Sequence, residues 1–151
     1  MKVADVLAFK GNLVITVKPT DTIGLLSKLL SDKRVGAAIV TSDGRTIDGV
    51  ISERDIAYGL AVHKAELFTL PVSSLMTKAV ITCTSDDTLA HVASTMQSRR
   101  IRHLPVEDDR RIVGMVSIRD VLNQRVGELQ QQTAMLRNLV TQTARVPEDR
   151  D

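Results

Sequence analysis

Aromatic side chains are almost missing: Phe9, Phe68 and Tyr58 are the whole complement, and there is no tryptophan. That counts against stacking platforms for single-stranded nucleic acid or sugars, which need exposed rings. The core must therefore be aliphatic. Charge of one sign is also lacking. Twenty basic residues against eighteen acidic ones leave +2, with no strong pull toward DNA or an anionic membrane. Cys83 is the only cysteine, which excludes an intrachain disulfide and a cysteine-based zinc site and suits a reducing compartment. No apolar run approaches the roughly 18 residues of a spanning helix, and "MKVADVLAFKGN" has no secretory apolar stretch. These absences predict a soluble, cytoplasmic protein. Its hydrophobic (43%) and charged (25%) fractions are those of a self-burying globular chain.

What the chain does have is an internal repeat. "ITVKPTDTI" (Ile15 to Ile23) aligns with "ITCTSDDTL" (Ile81 to Leu89) at an offset of 66, as does "KRVGAAIV" with "RRIRHLPV". Gly49, Ser52 and Asp55 then match Gly114, Ser117 and Asp120 at an offset of 65. Each copy reads as β-α-β-β-α. A β-branched strand ("LVITV" or "AVITC") leads to a polar turn whose Asp and Ser residues can cap the next helix. Ile23, Leu26, Leu29 and Leu30 in one copy, and Leu89, Val92 and Met96 in the other, form the apolar stripe of that helix. "GAAIV" or "HLPVE", a turn with Asp43-Gly44 as a hairpin signal, and "GVIS" or "GMVS" supply two more strands. "RDIAYGLAV" or "RDVLNQRV" opens the closing helix. The predicted class is α/β (α+β): two units packed about a pseudo-two-fold axis, plus a C-terminal helix. The expected divisions are 1–62 (first motif), 63–71 (linker, ending in a break at Pro71), 72–125 (second motif, opening on a short helix around Val72 to Met76) and 126–151 (helical extension and a frayed "PEDRD").

The tandem "SLMTKAVITCTSDDTL…RRIRHLPV…IVGMVSIRDVL" resembles a pair of cystathionine-β-synthase (CBS) motifs, together a Bateman module, over about residues 1 to 125. The resemblance implies a stand-alone module that senses rather than catalyses. It also implies two pockets between the motifs for adenosine-containing ligands such as AMP, ADP, ATP, NAD(H) or S-adenosylmethionine, and pairing of modules into flat dimers.

By themselves, "SERD" and "SIRD" are capping boxes, a Ser and an acid three residues apart answering each other across a helix start. Their repetition at matched places, each with an Arg beside the Asp, points further. A helix N-terminus can hold a phosphate, helped by Ser52 with Arg54, or Ser117 with Arg119. A carboxylate beside a phosphate would repel it, so Asp55 and Asp120 suit the paired hydroxyls of a ribose, where the resemblance also puts them. Capping and ribose binding are compatible. The resemblance further implies that Arg102 and His103, next to Pro105, reach the phosphates. Their counterparts Gly36 and Ala37 carry no charge, which predicts unequal pockets and leaves room for a longer ligand such as a dinucleotide. It makes Thr16, Val17, Thr82 and Cys83 walls of the adenine pocket. His63, His91 and His103 have no metal-ligand spacing, and no catalytic constellation can be argued. No enzyme, catalytic cofactor or metal is expected. The bound nucleotide is expected to be AMP first, with NAD(H) or ATP next.

Leu122, Val126, Leu129, Thr133, Leu136 and Val140 recur at alternating four- and three-residue steps, a short seam on a Gln-rich helix ending before Pro147. Such a helix fits packing on its own module as well as pairing with a second subunit. The expected partners are thus a small adenosyl ligand, a second copy and an unidentified protein, without membrane. The alternative function is a dimerisation or docking module for an enzyme or transporter, with vestigial pockets. Nucleic-acid binding through Arg99, Arg100 and Arg102 is a third option with less support.

Overall fold

Each repeat opens on a turn that is tied before its helix begins. The computed structural model describes residues 1–11 and 14–144. Part of the expected first strand, Pro147 and "PEDRD" lie outside the described residues. Helix α1 (Val3–Lys10) precedes the first repeat, which runs β1 (Thr16–Val17), α2 (Ile23–Lys33), β2 (Ala37–Val40), β3 (Gly49–Ser52) and α3 (Glu53–His63). After short 3-10 turns at Lys64–Thr69 and Val72–Ser74 come α4 (Leu89–Arg99), β4 (His103–Asp108), β5 (Arg111–Ser117) and α5 (Ile118–Thr143).

Threonine caps the two repeat helices, which corrects the assignment of that role to Asp and Ser. Thr22 Oγ1 accepts the Leu25 N–H at 3.2 Å, and Thr88 Oγ1 accepts that of His91 at 3.1 Å. The threonine immediately precedes the first helical residue, so its hydroxyl reaches the third N–H, a contact of about 1 kcal/mol. One residue earlier, Asp21 and Asp87 reach back instead and accept from Lys18 N and Thr84 N, both at 2.8 Å. Ser85 bonds across to Asp108.

In the first repeat β1 pairs parallel with β2, and β2 antiparallel with β3. The second repeat keeps only the antiparallel β4–β5 pair and one parallel bridge, Cys83↔Val106. The expected strand "AVITC" is thus reduced to a single bridge. Pro105 is the reason. It occupies the place of Ile39, whose N–H donates to Ile15 O at 2.9 Å. Proline has no N–H to give, so that rung cannot form. The tighter hairpin is likewise in the second copy, where Asp109 and Arg110 take positive φ between Asp108 and Arg111. Asp43-Gly44 sits in a wider loop, in which Asp43 accepts from the Arg45 and Thr46 N–H groups.

The two cores exchange their leading segments. Val3, Val6 and Leu7 of α1 pack with Leu89, Val92, Met96, Leu104 and Val116. Leu67 and Val72 pack with Ile23, Leu26, Val40 and Ile51. The backbone ties repeat about the pseudo-axis: Val3 N to Asp87 O matches Val72 N to Asp21 O, and Leu89 N to Met1 O matches Ile23 N to Leu70 O. Packing therefore crosses the sequence divisions at 62 and 72. Within the helical stripe Leu29 is only partly buried, whereas Ile23, Leu26 and Leu30 are buried.

Helix α5 runs unbroken through residues 125 and 126, so the closing helix of the second motif and the extension are one element. Leu122, Val126, Leu129, Leu136 and Val140 are exposed. The seam does not cover its own module.

Candidate functional site

Where β3 runs into α3 and β5 into α5, the chain must satisfy the free N–H groups of a helix start. Both copies do so by a reciprocal box. Asp55 Oδ2 accepts the Ser52 N–H at 2.9 Å, and Ser52 Oγ accepts the Asp55 N–H at 3.4 Å. The corresponding distances for Asp120 and Ser117 are 2.9 and 3.2 Å. The capping role is thus realised twice, each time leaving a carboxylate half-buried at a helix N-terminus.

In front of the first of these boxes lies a cavity of about 480 Å³, within the usual range for small-molecule sites. Both motifs line it. The first supplies Gly36, Val50 and the start of α3 from Ser52 to Asp55, with Ala57; the second supplies Arg100 to His103 and Pro105. Thr77, Ala79, Val80 and Ile81 close one side. Acidic Glu53 and Asp55 thus share the opening with Arg54, Arg100 and Arg102, a mixture that suits a ligand with both hydroxyl and anionic groups. His103 reaches over from the second motif to Gly36, and the missing Cβ there makes its space. Burial is the main force holding the imidazole below its ordinary pKa. Glu53 and Asp120 pull it up, while Lys10 and Arg102 add to the lowering.

Of the residues singled out from the sequence, Gly36, Ser52, Arg54, Asp55, Arg102, His103 and Pro105 come together around this cavity. Ala37 is buried in β2. Thr16 is exposed and Val17 buried in β1, away from the cavity lining. Thr82 bonds Glu107 at 3.3 Å. Cys83 is buried, and desolvation, followed by Asp87 and Asp108, pushes its thiol up to about 12. Such a thiol is a core residue without nucleophilic character at neutral pH. Ser117, Arg119 and Asp120 belong to the second box, where Asp120 meets Lys10 at 2.7 Å. Sequence reasoning missed Glu53, Ala79 and Lys10. Arg100 was also left out of the ligand site; it and Glu53, inside the quoted "RRIRHLPV" and "SERD", carried a signal. No group of three metal-ligating residues occurs among the described residues.

Fold and cleft define a module of two β-α-β-β-α units facing each other about a pseudo-two-fold axis. The chain belongs to the CBS domain family, whose model matches residues 13–61 and 72–127. It is 31% identical over 134 residues to the CBS domain-containing protein CBSX3, mitochondrial, of Arabidopsis thaliana, covering 83% of this chain and 65% of that one. It thus spans just under two thirds of that relative's length. The crystal structure of the CBS-domain containing protein ATU1752 from Agrobacterium tumefaciens superposes with a TM-score of 0.80 at 35% identity, over 83% of this chain and 99% of the other. The CBS domain pair of protein MJ0100, solved in complex with 5-methylthioadenosine and S-adenosyl-L-methionine, gives a TM-score of 0.76 at 29% identity, over 85% and 98%.

Proposed function

We propose that this chain is a regulatory module that binds an adenosine-containing ligand in the cleft between its CBS motifs and carries out no catalysis. The observation behind this reading is the cavity of about 480 Å³ in which Asp55 and Arg54 from one motif face Arg102 and His103 from the other. Asp55 takes the ribose diol through the carboxylate oxygen that its cap leaves free among the described residues. The N-terminus of α3, with Arg54 and Arg102, takes the phosphates. AMP is the first choice, and NAD(H) or ATP the next. The adenosine compounds bound by the MJ0100 pair support this ligand class. Bound ligand acts by its differential affinity for two arrangements of the module. The module works as a homodimer in the cytoplasm; the exposed seam of α5 supports the homodimer.

The test is a thermal-shift panel with AMP, ATP, NADH and S-adenosylmethionine. A concentration-dependent rise in Tm with at least one of them is expected, since a ligand that binds only the folded state stabilises it. A flat response to all four would remove the ligand-binding reading. It would leave the docking module with vestigial pockets, which the exposed apolar face of α5 favours.

A further inference from the structure

The two cap carboxylates differ in what else they touch. Among the described residues Asp55 bonds only Ser52, and it lines the cavity. Asp120 accepts a second bond from Lys10 Nζ at 2.7 Å, and the same ammonium donates to Met115 O at 2.8 Å. The side chains of this pair are only 32% and 18% exposed, so water competes for the contact weakly.

Among the described residues, nothing of this kind exists at the matching place in the first motif. Val50, the counterpart of Met115, gives its carbonyl to the backbone N–H of Thr77 at 2.9 Å. A passing backbone satisfies one copy, and a side-chain cation the other. The cause lies in chain length. Leu7 and Met76 hold equivalent places, pressed against Gly114 and Gly49, where an added Cβ would meet them at 2.7 and 2.8 Å. From there the chain takes eight residues to reach Ile15 but only five to reach Ile81. Lys10 lies in the longer stretch, while Ala79, in the shorter one, lines the open cavity.

We propose that Lys10 is a built-in occupant of the second site: its ammonium holds the Asp120 carboxylate that would otherwise take a ribose diol, so only the Asp55 site is open to a nucleotide. This rests on the adenosine-ligand reading above. The ammonium shares Oδ2 with the cap and leaves Oδ1 without a partner among the described residues. Its charge neutralises the carboxylate, so a diol at Oδ1 would meet a weaker acceptor beside a cation, and the tether keeps the ammonium at high effective concentration. Lys10 thus sets the number of sites.

The experiment is a calorimetric titration of AMP into the unaltered chain and its variants. Lys10→Met keeps the aliphatic stem and removes the charge. The unaltered chain should take one equivalent, Lys10→Met two, and Lys10→Met with Asp120→Ala one again. Two equivalents in the unaltered chain, or one in Lys10→Met, would overturn the proposal. If AMP gives no heat with any of them, the choice of AMP as ligand fails instead, and amine acylation decides the contact. Lys10 should then react several-fold more slowly than Lys18 and Lys28, and as fast as they do in Asp120→Asn. Equal rates in the unaltered chain would refute the occupancy.

Discussion

His103 of the second motif stands over Gly36 of the first: a Cβ on Gly36 would lie 3.2 Å from its Nε2 and 3.3 Å from its Cε1. The Glu53 carboxyl is the next neighbour, at 3.7 Å from the same point. One small residue on β2's edge therefore decides where an imidazole from the opposite unit can sit. Gly36→Ala should push the ring away by a few tenths of an ångström and disturb the cavity more than the core. AMP affinity should fall by roughly threefold to tenfold, about 1 kcal/mol, with little change in Tm. Calorimetry and thermal melts on the same preparation would separate the two effects, and a large Tm loss at unchanged affinity would refute this view of position 36.

The same imidazole makes stability depend on pH. Burial, the largest cause, and the Lys10 and Arg102 charges lower its pKa, while Glu53 and Asp120 only partly oppose them. The unfolded chain then binds this proton more readily than the folded one, so stability falls as pH drops. The contribution is intact above the unfolded histidine value near 6.5 and is lost as pH falls from there through the lowered folded value. Urea unfolding at pH 7.5 and 5.5 should show a loss in the unaltered chain that is smaller in His103→Gln. Equal losses would contradict the assignment. Asp108 and Asp120 titrate below their ordinary values, so they act at lower pH.

Helix α5 carries Gly127 in its interior, with open space around the position where a Cβ would stand and no positive φ. Glycine there costs backbone entropy without easing any close contact. Gly127→Ala should therefore stabilise by about 0.5–1 kcal/mol on propensity alone, seen as a higher Tm. A lower Tm would mean that the helix is not continuous across 126 in solution.

Much of this was legible because a repeat writes each decision twice. The matched Gly, Ser and Asp located both helix starts, and the stripe of Ile23, Leu26 and Leu30 found the core face. Differences between the copies were harder to read, since each depends on one atom in a pair. Pro105 looked like any residue of a strand until its missing N–H met Ile81's side of the sheet. The exchange of leading segments lies in tertiary packing, which periodicity does not record. Lys10 was invisible because its only signal is a loop length, and its partner is more than a hundred residues away.

The most direct measurement of the central claim is calorimetric titration of AMP into the unaltered chain, Asp55→Ala and Asp120→Ala. Both substitutions remove the acid half of a capping box, and Asp120→Ala also breaks the Lys10 contact, so thermal melts on each variant separate general destabilisation from lost binding. The account predicts that Asp55→Ala weakens AMP binding by at least about tenfold, as expected for lost bonds to a charged group, while Asp120→Ala leaves it unchanged. Affinity in Asp55→Ala equal to that of the unaltered chain would contradict it.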